Sequence, residues 1–197
     1  MKEILIATHN RGKLAEFQRM LNPLGFTVIS AEEAGFSDDV EETGRTFSEN
    51  AAIKAWAITN ATGKPAIGDD SGLCVDALGG APGVFTARYA GEQKDNEANI
   101  RKLLDNLKTV PEEERGAHFE CAIVCAFPDG HAVKAVGQCY GSILFEKKGD
   151  GGFGYDPVFG VDGKSFAELS DEEKDHISHR GKALRRLIEL LKEENDL

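Results

Sequence analysis

The sequence predicts an α/β fold, and three features carry that expectation. An apolar run at residues 3–7, EILIA, is followed by Leu14, Phe17 and Leu21 at helical spacing and then by a second apolar run, TVIS, at residues 27–30. Strand, helix and strand in that order make a right-handed βαβ unit. Further along, HFECAIVCAF and HAVKAVGQCYGSILF flank Pro128-Asp129-Gly130 and read as a long antiparallel hairpin. A length of 197 residues suits one sizeable core, so one domain is expected.

Composition narrows the function classes. Apolar residues make up 41% of the chain and charged residues 29%, an ordinary balance for a soluble globular protein. No stretch is long and apolar enough to span a membrane, and the apolar run in MKEILIATHN is too short for a signal peptide, so the cytoplasm is the expected location. A net charge of −11 argues against binding nucleic acid by neutralising its phosphates. A small anion stays open, provided that cations or a metal are concentrated where it binds. Cys74, Cys121, Cys125 and Cys139 fall inside apolar, strand-like runs and read as reduced core residues. On one strand Cys121 and Cys125 would stand roughly 13 Å apart, too far to share a zinc ion.

The first strand runs into Thr8-His9-Asn10-Arg11-Gly12-Lys13, where Asn10 is a candidate N-cap for the helix that follows. A helix N-terminus presents unpaired N–H groups and a positive dipole end to an anion, and Thr8, Asn10 and Lys13 would add side-chain donors around it. The segment lacks the first glycine and the Ser/Thr of a Walker loop, so a capped helix with an exposed lysine is the competing reading. After the second strand comes an acidic loop with Asp38, Asp39, Glu41 and Glu42. Thr46-Phe47-Ser48-Glu49 is then a capping box opening the helix FSENAAIKAWAI. Asn50 and Lys54 share a face of that helix, one turn from the loop. A loop carboxylate could join a metal while Lys54 meets phosphate; a solvated acidic loop beside an exposed lysine is the alternative.

Chemistry is densest in GDDSGLCVDALGGAPGVFTARYAG, residues 68–91. Ala66 and Ile67 after Pro65 read as the end of a short buried strand, with Asp69, Asp70 and Ser71 leaving its tip as a loop. Carboxylates and a hydroxyl at a strand end suit Mg²⁺, which takes one or two carboxylates plus substrate phosphates. The competing reading is an Asx-type turn. Gly79, Gly80 and Gly83 around Pro82, with Arg88 after them, favour a segment that a ligand approaches closely.

Ile100, Leu103, Leu104 and Leu107 mark an amphipathic scaffold helix starting near Asp95 or Asn96, and the hairpin after it carries no chemistry. Gly149-Asp150-Gly151-Gly152-Phe153-Gly154-Tyr155-Asp156-Pro157 would leave two aromatic rings able to lie against a flat ligand, with Asp156 accepting from ring N–H groups. A flexible loop with one buried aromatic is the other reading. Ser170-Asp171-Glu172-Glu173 is a second capping box and puts Lys174 on the first turns of a short helix. Ser178 caps the last helix, whose buried face is Leu184, Leu187, Ile188 and Leu191. His179 and Arg180 therefore sit in a first turn, where cations oppose the dipole unless an anion or acceptor-rich group compensates them.

Together these segments resemble the house-cleaning nucleoside triphosphate pyrophosphatases that act on inosine and xanthosine triphosphates. The resemblance runs from THNRGKLAEF through EETGRTFSENAAIKA, GDDSGLCVDALGGAPGVFTARYAG and GGFGYDPVF to FAELSDEEKDHISHRGKAL, nearly the whole chain. It implies that residues 1–197 form a single domain of α/β class. In it a long, mixed, twisted β-sheet flanked by helices makes two lobes, with the active site in the cleft between them. It also implies Mg²⁺, a homodimer, and hydrolysis of ITP, dITP and XTP to the monophosphate and pyrophosphate. By motif position the substrate meets the segment Thr8, His9, Asn10, Arg11, Gly12 and Lys13, with Thr8, Asn10 and Lys13 on phosphate and Lys54 and Lys174 reinforcing them. Asp70 would be metal-linked and the base for the attacking water. Glu41 would be the second metal carboxylate, with Glu42 its rival in register. Ser71 would touch the substrate. In the segment Phe153, Gly154, Tyr155 and Asp156, the Phe153 ring would stack on the base; Asp156, His179 and Arg180 would read its edge. Two other functions fit the sequence less well. One is a pyrophosphatase of similar fold for pyrimidine or other modified nucleotides, which SHRG argues against. The other is a nucleotide-binding sensor without turnover, which gains nothing from Asp70.

Overall fold

The computed structural model describes residues 2–36 and 40–193. The expected βαβ unit opens the chain as β1 (Lys2–Ala7), α1 (Arg11–Leu21) and β2 (Phe26–Ser30). β1 and β2 pair in parallel, with Lys2 opposite Phe26 and Ile6 opposite Ser30. The α2 helix (Phe47–Thr62) starts at the capping box: Thr46 Oγ1 accepts from the Glu49 N–H, and the Glu49 carboxylate accepts from the Thr46 N–H. Asp38 and Asp39 of the acidic loop lie outside the described residues.

β3 corrects the sequence reading. It spans Ala66–Val75 without a break, so Asp69, Asp70 and Ser71 are mid-strand residues rather than a loop at a strand tip. Strands disfavour Asp and Gly, which made this segment read as a turn. Two things outweigh that. Asp69 and Asp70 find cationic partners in α1, α2 and the last helix, described below. Gly68 is the only residue type that fits where it stands, because a Cβ there would lie 2.1 Å from the Ala51 carbonyl oxygen of α2. β3 runs parallel to β1, with Leu5 opposite Ala66 and Ala7 opposite Gly68.

The remaining elements are α3 (Asn96–Asn106, capped by Asp95), β4 (Gly116–Ala126), β5 (Ala132–Ile143), β6 (Phe159–Val161), β7 (Lys164–Ser165), α4 (Asp171–Ile177) and α5 (His179–Glu193). The strands form one seven-stranded sheet in the order β2-β1-β3-β4-β5-β6-β7. Residues 127–131 are too few for the crossover a parallel pair needs, so β4 and β5 make the expected antiparallel hairpin. β6 is antiparallel to β5 and to β7, so the sheet is mixed.

The chain divides into two compact units: residues 1–70, 121–137 and 180–197 in the first, residues 71–120 and 138–179 in the second. In the first, β1 alternates strictly. Ile4 and Ile6 join Phe17 and Leu21 of α1 and Leu184, Leu187 and Leu191 of α5, whereas Leu5 and Ala7 join Ile58 of α2. The first unit therefore has helices on both faces of its strands, the arrangement that a buried parallel pair requires. The second unit is built around Leu73 and Val75 of β3, Ile100 and Leu103 of α3, Phe119 of β4 and Phe159 and Phe166. All four cysteines are reduced thiols in β3, β4 and β5, as expected. Among the described residues no helix is long and apolar enough to cross a membrane.

Candidate active site

In the first unit, chemistry collects where β1 and β3 meet the starts of α1 and α2. Asn10 caps α1, its Oδ1 accepting from the Lys13 N–H at 3.2 Å, while Thr8 Oγ1 accepts from the Asn10 N–H at 3.1 Å. The first turn, Arg11-Gly12-Lys13, carries no acidic side chain, so the positive dipole end stays uncompensated. His9, Asn10 and Arg11 are exposed, and Thr8, Gly12 and Lys13 half-buried. An anion can therefore reach the unpaired N–H groups.

Behind this turn stands a chain of buried charges. Lys13 Nζ lies 3.0 Å from Asp69 Oδ1. Arg180, at the start of α5, donates from Nε and Nη2 to Asp69 Oδ2, each at 3.1 Å, and from Nη1 to Glu16 of α1. Burial alone would push the Asp69 carboxyl up, but Lys13, Arg180 and Lys54 outweigh it and hold it well below the usual carboxylate range. Burial together with the neighbouring Asp69 carboxylate pushes the Cys121 thiol up, so it stays protonated and donates to Asp69 at 3.7 Å. Asp69 and Glu16 are the acceptor-rich partners that compensate a cation in the first turn of α5.

Beside Asp69, the Asp70 carboxylate meets α2. Asn50 Nδ2 donates to its Oδ2 at 3.1 Å and Lys54 Nζ to its Oδ1 at 3.4 Å; Lys54 also donates to Glu42 Oε1 at 3.0 Å. Burial raises the Asp70 carboxyl above its ordinary value and Glu42 adds to this, with Lys54, Lys13 and Asn50 opposing. Lys54 is itself raised, because Asp70, Asp69 and Glu42 outweigh its burial, so it stays charged. Of the two rival loop carboxylates, Glu42 faces Asp70 across Lys54; Glu41 and Glu42 are both exposed. The loop register that separates them is set by tertiary contacts that no local pattern reveals. Among the described residues no three His, Cys, Asp or Glu side chains bracket one ion position. Two oxygen donors held around one ammonium nevertheless suit a hard cation that takes its remaining ligands from phosphate and water.

The second unit holds the other predicted residues. Lys174 Nζ donates to Asp156 Oδ2 at 2.7 Å and lies 4.6 Å from the centroid of the half-buried Phe153 ring. The Phe153 N–H also donates to Asp156 Oδ2, at 2.8 Å. Phe153, Asp156 and Lys174 thus form one knot; Gly154 in the same loop and Ser71 on β3 are half-buried. Tyr155 departs from expectation. Its ring is 4% exposed, belongs to the second core and donates from Oη to the Thr86 carbonyl at 2.9 Å, so it is not open to a flat ligand. The His179 ring stacks on Phe119 at 4.7 Å between centroids. The base-edge roles expected for His179 and Arg180 thus meet side chains already engaged, one in an aromatic stack and one with two carboxylates.

The model of the Ham1 family matches residues 4–190. This chain belongs to the Ham1 family. Its relatives in that family include the dITP/XTP pyrophosphatase of Bacillus subtilis, 51% identical over 193 residues, covering 97% of this chain and 98% of that protein. A dITP/XTP pyrophosphatase of Streptomyces coelicolor is 46% identical over 197 residues. Two solved Ham1 structures superpose over 98% of this chain and 100% of their own. The Staphylococcus aureus protein does so with a TM-score of 0.87 at 45% identity, and the Coxiella burnetii protein with 0.88 at 43%. The mixed sheet flanked by helices is therefore a Ham1 fold, as the resemblance implied. Glu16, Asn50 and Asp69 were given no role by sequence reasoning in this Ham1 chain. Asp69 was legible only as half of a pair, and the partner of Glu16, Arg180, lies 164 residues away in sequence.

Proposed function

We propose that this chain is a Mg²⁺-dependent pyrophosphatase that hydrolyses dITP, ITP and XTP to the nucleoside monophosphate and pyrophosphate. The names of its Ham1 relatives support the substrate class, and one observation carries the chemistry: Lys54 set between Glu42 and Asp70. A water-activating carboxylate with a raised proton affinity, beside a second carboxylate and a lysine, serves hydrolysis and gives a binding protein nothing. Thr8, Asn10, Lys13 and the N–H groups of the α1 start would take the phosphates, with His9, Arg11 and Gly12 completing the turn. Asp70 and Glu42 would hold the Mg²⁺, which when bound would neutralise phosphate charge and acidify the attacking water.

Asp70 then accepts the water proton as the oxygen attacks the α-phosphorus, and the bond from that phosphorus to the bridging oxygen breaks. Pyrophosphate leaves with the bonding electrons, its charge met by Lys13 and Lys54. Phe153, Asp156 and Lys174 would receive the base, with Gly154 and Ser71 lining its approach. His179 would act from behind through Phe119, and Tyr155 by fixing the loop. Arg180 would act through Asp69. A homodimer acting on the cytoplasmic nucleotide pool completes the reading.

Phosphorus NMR of reactions with dITP, XTP, dGTP and dATP, with and without Mg²⁺, tests it. A monophosphate and pyrophosphate should appear first from dITP and XTP, and only with the metal. Orthophosphate with a diphosphate, or equal rates on dATP, would refute it. Sedimentation velocity checks the dimer.

A further inference from the structure

Asn50, in the first turn of α2, is 2% exposed and bonds both Asp70 and the loop that carries Glu42. Its Oδ1 accepts from the Gly44 N–H at 2.8 Å, and its Nδ2 donates to Asp70 Oδ2 at 3.1 Å. A backbone N–H can only donate, so the first bond fixes which end of the amide is oxygen and obliges the nitrogen to face Asp70. The donated bond occupies Oδ2 and leaves Oδ1 towards Lys54, at 3.4 Å. Gly44 follows Glu42 by two residues, so a single amide ties the loop bearing one carboxylate to the strand bearing the other. The fit leaves no slack: a Cβ on Gly44 would stand 2.5 Å from Asn50 Oδ1 and 2.7 Å from Glu49 Cβ.

The geometry points to Asn50 as a positioning residue that sets the Asp70 carboxylate and the Glu42 loop in one fixed relation for the metal. This rests on the reading above that Asp70 and Glu42 hold Mg²⁺. Partners that hydrogen-bond a ligating carboxylate orient it, and losing one typically weakens metal affinity roughly 10–100-fold. The positioning is specific: Lys54 could hold the two carboxylates near each other by charge alone, whereas the planar amide orients Asp70 and ties the Glu42 loop to it.

Asn50→Ala deletes both bonds. Gly44→Ala leaves Asn50 in place and pushes on its oxygen. For both variants, their double variant and wild type, three quantities are measured: the Mg²⁺ concentration giving half-maximal dITP hydrolysis, KM for dITP at saturating Mg²⁺, and metal-free amide hydrogen exchange across residues 43–46. Each single variant should raise the Mg²⁺ midpoint about 10–100-fold while KM changes less than about threefold, and exchange in the loop should quicken. The double variant should lose no more than about threefold beyond the worse single variant, since both act through one amide. A Mg²⁺ midpoint unchanged in Asn50→Ala, losses that multiply in the double variant, or a raised KM at an unchanged midpoint would overturn the proposal. If Asn50→Ala does not fold, Gly44→Ala gives the same readouts. Absence of dITP hydrolysis by wild type, or Mg²⁺-dependent turnover retained in Asp70→Asn, would instead refute the function; the exchange data would still report whether the amide holds the loop.

Discussion

Lys174 Nζ donates to Asp156 Oδ2 at 2.7 Å, and the two side chains are 5% and 4% exposed. A buried ion pair is weak evidence for stability in itself, but cutting it in half strands one charge away from water. Lys174→Met and Asp156→Asn should each destabilise the protein by about 3 kcal/mol, and the double variant by clearly less than the sum of the two. Urea unfolding of the four proteins checks this. Single losses under about 1 kcal/mol would mean that water reaches the pair as it does a surface one.

Arg180 leads to a second prediction by the same physics. Its guanidinium is shared by Asp69 and Glu16, all three almost fully buried. Arg180→Gln should therefore cost about 3–5 kcal/mol, whereas Arg180→Lys, which keeps the charge but loses the fork, should cost less. Thermal and urea unfolding decide it. A Gln variant as stable as wild type would show that the two carboxylates do not depend on this cation.

What was legible in the sequence follows from how local each signal is. The capping boxes at Thr46 and Ser170 and the Asn10 cap rest on residues three positions apart, the βαβ unit on apolar runs and helical spacing within about thirty consecutive residues, and all are present. β3 was misread because the partners that make Asp69 and Asp70 tolerable in a strand come from Lys13, Asn50, Lys54 and Arg180, spread over three helices. Glu41 and Glu42 stayed rivals in the sequence because register in an irregular loop is set by contacts such as Gly44 with Asn50. Tyr155 looked available for the same reason: its partner, the Thr86 carbonyl, is 69 residues away in sequence.

The cysteines allow a third prediction. Cys74 is half-buried and the other three thiols are buried. Burial first, then Glu120 and Asp76, push the Cys74 thiol up to about 11. The thiolate is the reactive form, so at pH 8 Cys74 should react with iodoacetamide about tenfold or more slowly than an ordinary exposed cysteine. Its rate should climb steadily from pH 8 to pH 10. Mass spectrometry of the native protein should find Cys74 modified before Cys121, Cys125 and Cys139, which need unfolding. Faster modification of Cys121 would contradict its contact with Asp69.

The last prediction sets function against stability at Asp70. Its carboxyl is raised in the folded protein, so the charged form is less favoured there than in the unfolded chain. The sign follows: at neutral pH the ionised Asp70 subtracts from stability, and protonation as pH falls through the raised value relieves that cost. Asp70→Asn removes the charge permanently while keeping the shape and one oxygen, which can face Lys54 or Asn50 but not both, and Lys54 keeps Glu42 as its counter-ion. The variant should lose turnover on dITP by roughly a thousandfold, since an amide neither accepts the water proton nor binds a hard cation well. It should also unfold at the same temperature as wild type or higher, a trade expected where an active site keeps an unfavourable charge for use. Differential scanning calorimetry at pH 7 without metal, beside the rate on dITP with saturating Mg²⁺, measures both. A variant that is inactive because its unfolding temperature has collapsed would make Asp70 a structural residue, and one that is stable and active would remove it from the chemistry.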